Sequence, residues 1–107
     1  MIIGVGTDIV EISRIEKNHA ELAKRVLSIN ELEIYNGYNN NRKIEFLAGR
    51  FACKESIIKA INSSITMKEI DISYNKLNKL VTNLDLNLHI SIAHEKNYAT
   101  AICINEE

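Results

Sequence analysis

Two carboxylates of this sequence occupy positions that suit catalysis or metal binding. Asp8 follows a short apolar run, and Glu55 lies in a segment from Ile44 to Ile61 that is typical of one helix. At about 100° per residue, Glu55 falls within roughly 40° of the apolar line of that helix. That line consists of Ile44, Leu47, Ala48, Phe51 and Ile58. Because a buried carboxylate is costly unless a cation compensates it, we expect a basic side chain or a metal ion beside Glu55.

Asp8 and Glu55 together can hold one hard cation through oxygen atoms. Mg²⁺ commonly takes one or two protein carboxylates and completes its octahedron with waters and substrate phosphates. Each carboxylate also has a structural interpretation. Asp8 stands three residues before Glu11, the spacing of a helix-capping box, and Glu55 can pair with Lys59 one turn later. The residues alone leave both interpretations open.

His94 ends a run of alternating apolar residues, so we expect its ring on the core face at a strand end. A histidine there can do proton chemistry near neutral pH, or can simply be a hydrogen-bonded core residue. The long helix also carries basic side chains that can meet phosphates or form a solvated face balanced by Glu45. They are Arg42, Lys43, Arg50, Lys54 and Lys59.

The elements that must position these residues indicate an α+β fold in one domain, as suits 107 residues. Ile2 to Thr7 is predicted to be a strand. A helix is expected from about Ile9, with a break near Asn18 and His19. Ser28 and Glu31 have the spacing of a capping box before a shorter helix.

The long helix is apolar on a second side as well, formed by Phe46, Cys53, Ile57 and Ala60. Such a helix usually lies between two packed surfaces, one of which can belong to another subunit. The remainder is predicted to be β: alternation at Ile70 to Tyr74, a period-2 run from Leu84 to His94, and a hairpin return over Tyr98 to Ile104.

Composition excludes several classes of protein. A net charge of -1 argues against a broadly basic nucleic-acid surface, and no apolar run approaches the roughly 18 residues of a membrane span. The N-terminus lacks a signal-peptide pattern, so a cytoplasmic location is expected.

Cys53 and Cys103 are expected to be buried free thiols. Gly4-Val5-Gly6 lacks the remaining residues of a dinucleotide-binding loop.

Four segments carry a resemblance to a known family. They are Gly4 to Ile15, Arg25 to Tyr35, Phe46 to Ala60 and Ser91 to Ala99. In order and spacing they resemble the holo-[acyl-carrier-protein] synthases, the small type of the 4′-phosphopantetheinyl transferase superfamily. The resemblance implies that family's fold, a small antiparallel sheet packed on a long central helix, and a homotrimer with active sites between subunits.

The resemblance also implies a reaction in fatty acid biosynthesis. The phosphopantetheine arm of coenzyme A moves to a serine of apo acyl carrier protein, and adenosine 3′,5′-bisphosphate leaves. It implies that Asp8 and Glu55 are Mg²⁺ ligands and that His94 lies beside the coenzyme. The general base stays open between Glu55, His94 and a metal-bound water.

Further roles follow from the same resemblance. Lys59 matches a phosphate-contacting lysine, and Arg50 and Arg42 match residues that hold the nucleotide phosphates. Arg14 and Arg25 match basic positions that dock the acidic carrier protein. A catalytically silent oligomeric interaction module and another Mg²⁺-dependent phosphoryl-transfer enzyme are the alternatives.

Two departures from the family pattern concern the coenzyme. Asn62-Ser63-Ser64 replaces a glycine-rich turn, and Ala93 replaces a serine or threonine before the histidine. Neither change affects Asp8, Glu55 or Lys59, so we expect an active enzyme with altered coenzyme contacts.

Overall fold

The computed structural model describes all 107 residues. Its elements, in chain order, are β1 (Ile2–Glu11), α1 (Ile12–Glu16), α2 (His19–Val26), α3 (Ile29–Asn36), α4 (Asn40–Ile61), a 3₁₀ turn (Met67–Glu69), β2 (Ile72–Tyr74), β3 (Leu80–Thr82), β4 (Asn87–His94) and β5 (Tyr98–Glu106). The predicted α+β class is confirmed. None of the helices has both the length and the apolar character that crossing a membrane requires.

The first strand is longer than the sequence predicts. β1 pairs with β5 as far as Glu11 opposite Tyr98, so the expected helix start at Ile9 is wrong. Long-range pairing with β5 overrides the local capping pattern. Asp8 therefore lies within a strand, opposite Ala101, and does not cap a helix.

Two antiparallel sheets form. The larger has the strand order β1-β5-β4, and β2 and β3 make a separate hairpin. The predicted return of β5 along β4 is confirmed, with His94 opposite Ala99. The strand at Leu80–Thr82 was not predicted, and β4 begins only at Asn87, so Leu84 and Leu86 lie outside the strand despite their alternation.

Helix α4 packs against the three-stranded sheet, and α1–α3 and the β2–β3 hairpin cover it as well. The Asn39 side chain caps its start by accepting a bond from the Arg42 N–H, and Asn62 ends it in the left-handed conformation with φ 50°. Two buried apolar clusters form along its length, one with α1–α3 and one with β5 and the β2–β3 hairpin. The prediction that both sides are packed is confirmed.

Two glycines let β1 touch α4 backbone to backbone. A Cβ atom at Gly4 would lie 1.9 Å from the Ala60 carbonyl oxygen, and one at Gly6 would lie 2.0 Å from that of Ser56. No side chain fits in such a gap. This contact fixes β1 on the helix and brings Asp8, two residues beyond Gly6, to the helix surface that carries Glu55 and Lys59.

A charged pair lies in the core between α4, α3 and β2. The Lys54 ammonium group is fully buried and donates to the Glu31 carboxylate, to Val26 O at 2.8 Å and to Met67 O at 2.9 Å. Glu31 also accepts bonds from the backbone N–H groups of Ser28 and Ile72. The predicted capping box of Ser28 and Glu31 is confirmed.

Candidate active site

Asp8 and Glu55 line one cavity of about 360 Å³ between β1, α1, α2 and α4. Phe51 and Leu22 form part of its apolar wall. The Asp8 side chain is 19% exposed, and Glu55 is partly buried. Glu55 therefore lies at the boundary of the apolar line, facing a cavity. The structure brings the two predicted metal ligands into a common cavity.

Lys59 takes Asp8, and not Glu55, as its partner. Its ammonium nitrogen donates to Thr7 O at 3.0 Å and lies 3.5 Å from Asp8 Oδ1. Together Thr7, Asp8 and Lys59 line a second cavity of about 370 Å³. Lys59, the basic residue expected near Glu55, is therefore paired with Asp8 instead. Because the Lys59 side chain is half exposed, it can turn toward an anion.

The donor set suits a hard cation that brings other ligands with it. No group of three or more His, Cys, Asp or Glu side chains is placed to hold a metal ion. A zinc site, which needs at least three protein ligands, does not fit. Two carboxylates facing one cavity do fit Mg²⁺, which keeps waters and takes substrate phosphates as ligands.

The arginines predicted to dock a carrier protein lie on the first two helices. Arg14, in α1, is exposed and lines the same cavity as Asp8 and Glu55. Arg25, in the last turn of α2, is exposed as well. A partner held by Arg14 would therefore lie next to the two carboxylates.

His94 lies in a different cavity within a single chain. This cavity, of about 460 Å³, is lined by His94, Glu45, Glu16 and Lys96 among others. The His94 side chain is 41% exposed, with Nε2 3.7 Å from Glu45 Oε1, and Arg42 donates to the same oxygen at 2.8 Å. The expected position on the core face at a strand end is confirmed, because His94 shares its side of β4 with the partly buried Leu88, Ile90 and Ile92 and faces Glu45 of α4. As the last residue of the strand, it is nevertheless exposed.

Arg50 lies in neither cavity. It is buried, with its Nε 3.7 Å from Glu31 Oε2 and its guanidinium carbon 4.5 Å from the centre of the Phe46 ring. Within one chain, therefore, the structure groups Asp8, Glu55, Arg14 and Lys59, and it places His94, Arg42 and Arg50 elsewhere.

The buried pair of Lys54 and Glu31 was missed by the sequence analysis. Lys54 was expected on a solvated or phosphate-binding face, but it is fully buried. Burial lowers the pKa of Lys54, and the Glu31 carboxylate opposes that effect. The sequence does contain a signal for this burial, because Lys54 lies only about 20° from the buried Leu47 on the helical wheel.

Comparison with known proteins shows the family. The family model of the 4′-phosphopantetheinyl transferase superfamily (ACPS) matches residues 4–103. The chain is 47% identical over 107 residues to the holo-[acyl-carrier-protein] synthase of Mycoplasma capricolum, covering 99% of this chain and 96% of that protein.

Solved structures agree. The holo-(acyl-carrier-protein) synthase of Bacillus anthracis in complex with CoA (3′,5′-ADP) superposes with a TM-score of 0.88 at 34% identity, covering 98% of this chain and 96% of that one. The holo-[acyl-carrier-protein] synthase of Helicobacter pylori in complex with coenzyme A gives 0.78 at 28% identity, covering 95% and 99%. The chain belongs to the 4′-phosphopantetheinyl transferase superfamily.

Proposed function

We propose that this chain transfers the 4′-phosphopantetheine group of coenzyme A to a serine of apo acyl carrier protein and releases adenosine 3′,5′-bisphosphate. Similarity to holo-[acyl-carrier-protein] synthases along nearly the whole chain supports this reaction. The observation that carries it is the shared cavity of Asp8 and Glu55, with the Lys59 ammonium group beside Asp8. The whole chain, residues 1–107, then acts as one domain, in the cytoplasm and in fatty acid biosynthesis.

The reaction exchanges one phosphorus–oxygen bond for another. The serine oxygen forms a bond to the β-phosphorus of the pyrophosphate, and the bond from that phosphorus to the bridging oxygen breaks. The serine proton goes to a base, and the electron pair leaves with the bisphosphate. Since charge moves onto the bridging oxygen, positioned cations are the main catalytic need.

The residues of the cavity meet this need in different ways. Asp8 and Glu55 would hold Mg²⁺, which supplies Lewis-acid polarisation of the pyrophosphate when bound. Lys59 can leave Thr7 O and donate to a phosphate oxygen. Arg42 and Arg50 are proposed to hold the phosphates of the nucleotide.

His94 and Glu55 are the side chains proposed as candidates for the base. An imidazole nitrogen and a carboxylate oxygen can each accept a proton from the serine hydroxyl. His94 reaches the site only if a second subunit supplies it, because within one chain it lines another cavity.

A homotrimer with active sites at the subunit interfaces meets that condition. The outer face of the β1-β5-β4 sheet supports association, because Val5, Ile9 and Ile102 are 57%, 64% and 41% exposed. Three aliphatic side chains on one sheet face are costly to leave in water, and a second copy of the chain can cover them.

Arg14 and Arg25 are proposed to dock the acyl carrier protein. Carrier proteins of this kind are acidic, so exposed arginines on α1 and α2 would raise the rate of encounter. The position of Arg14 on the wall of the Asp8 cavity would then place the carrier serine near the two carboxylates.

Mass spectrometry of the carrier tests the proposal. The purified protein is incubated with coenzyme A, Mg²⁺ and apo acyl carrier protein, and a carrier with its serine replaced by alanine serves as the control. The mass of one phosphopantetheine arm should be added to the serine form alone. No addition to a competent carrier would favour a silent interaction module, and hydrolysis of coenzyme A without transfer would favour another phosphoryl-transfer enzyme.

A further inference from the structure

Arg50 is a buried cation with too few hydrogen-bond partners within the chain. It is 6% exposed, and its Nε is fully buried without a hydrogen bond. The nearest carboxylate, that of Glu31, lies 3.7 Å away and already accepts bonds from Lys54 and from two backbone N–H groups. Because an unpaired buried donor is costly, a guanidinium in this state would gain from an anion supplied from outside the chain.

Two aromatic rings hold the guanidinium group. Its carbon lies 4.5 Å from the centre of the Phe46 ring and 6.0 Å from that of the Tyr74 ring, both within cation–π range. Contact with ring faces restricts the rotation of the planar group. It leaves the edge of the group, where the N–H donors point, for paired bonds to a phosphate.

Tyr74 differs from Phe46 in its exposure. Phe46 is a core residue, whereas Tyr74, on β2, is 58% exposed. Tyr74 also lines a cavity of about 570 Å³ between the hairpin and β4, whose lining includes Lys79. Core packing therefore does not account for Tyr74, while the contact of its ring with the Arg50 guanidinium does.

We infer that Tyr74 is a positioning residue that, together with Phe46, orients the Arg50 guanidinium toward the phosphates of the coenzyme nucleotide. The inference rests on the proposed function, in which Arg50 holds those phosphates. It adds the β2–β3 hairpin to the coenzyme site, in the part of the chain where the sequence least resembles the family.

Binding of adenosine 3′,5′-bisphosphate, measured by isothermal titration calorimetry on the full-length protein, tests this role without turnover. Tyr74→Ala should weaken binding about fivefold, while Tyr74→Phe, which keeps the ring face, should stay within about twofold. Leu77→Ala is the matched control, because Leu77 lies in the same hairpin and is 77% exposed. In steady-state assays Tyr74→Ala should raise the KM for coenzyme A and leave kcat near the parent value.

The outcomes separate the inference from the proposed function. If Arg50→Gln weakens binding but Tyr74→Ala does not, the inference fails while the proposed function stands. An equal loss in Tyr74→Phe or in Leu77→Ala also overturns it, because the ring face would then not be the cause. If the parent protein binds neither coenzyme A nor the bisphosphate, the proposed function itself fails.

Discussion

Lys54 and Glu55 are adjacent in the sequence of helix α4, but their charged groups lie in opposite surroundings. Lys54 points into the core, where three oxygen acceptors satisfy its ammonium group. Glu55, the next residue, faces the cavity that it shares with Asp8. A buried ion whose partners are all present within the chain is a structural element. A charged group that faces an open cavity is available to a ligand.

The energetic consequences of changing the two residues should therefore differ. Removing one partner of a buried pair leaves the other charge uncompensated, which costs about 3–5 kcal/mol. Neutralising a carboxylate at the edge of a cavity leaves no buried charge without its partner. Activity should thus respond to Glu55 and stability to Lys54.

Glu55→Gln should produce the largest effect on activity. With a neutral amide in place of the carboxylate that is proposed to bind the metal, transfer to the carrier should fall on the order of 10³-fold. The melting temperature should stay close to that of the parent, since the change lies at the cavity edge. Mass spectrometry of the carrier and thermal unfolding measure the two quantities, and a large loss of stability would contradict the division of roles.

Lys54→Met should produce the largest effect on stability, a loss of about 3–5 kcal/mol, because Glu31 keeps its buried charge without the cation that is hydrogen-bonded to it. The double variant Lys54→Met with Glu31→Gln should recover part of that loss. Denaturant unfolding gives both values.

Lys24→Ala is the matched control for Lys54→Met. It removes a lysine from an ion pair with Glu21 in which both side chains are more than half exposed. Its effect should stay within about 0.5 kcal/mol. Equal effects of the two lysine substitutions would refute the structural role of Lys54.

The core around Lys54 should also make stability depend on alkaline pH. Burial raises the pKa of the Cys53 thiol from 9.0 to about 12. Above pH 9.0 the unfolded chain releases this proton and the folded chain retains it. The contribution of this thiol to the free energy of unfolding should therefore fall as pH rises from 9 toward 12, by about 1.4 kcal/mol per pH unit.

Cys53→Ala should reduce that dependence without removing the similar, smaller contribution of Cys103, whose pKa burial raises to about 11. Unfolding curves at pH 8, 9 and 10 compare the slopes of the parent and the variant. An unchanged slope in Cys53→Ala would show that the thiol titrates normally in the folded protein.

Lys59→Met should have a smaller effect on activity than Glu55→Gln. Its side chain is 52% exposed, so the pair with Asp8 contributes little to stability. Loss of the phosphate contact proposed for Lys59 should raise the KM for coenzyme A about tenfold. Steady-state kinetics measure this, and an unchanged KM would mean that Lys59 does not reach the coenzyme.

The sequence predicts the parts of this molecule that local patterns control. The capping box at Ser28, the long helix and the β4–β5 hairpin each have a local signal, and each is present. The extension of β1 past Asp8 has none, because it depends on pairing with β5 some ninety residues away.

In the candidate site, too, local patterns predict single residues but not the long-range contacts between them. Asp8 and Glu55 were singled out by residue type and position, but their meeting depends on the glycine contact between β1 and α4. The exposure of His94 could not be predicted from its alternation, because the pattern does not show where the strand leaves the core. The burial of Lys54 is not predicted from its residue type, because lysine side chains are usually exposed to solvent.

A divalent-ion titration in the presence of coenzyme A tests the central claim most directly. Mn²⁺, followed by electron paramagnetic resonance, can replace Mg²⁺ at an oxygen site. The parent protein should bind one ion per active site, and both Asp8→Asn and Glu55→Gln should weaken that binding by on the order of tenfold or more. Unchanged ion binding in both folded variants would contradict the claim that these two carboxylates share a metal.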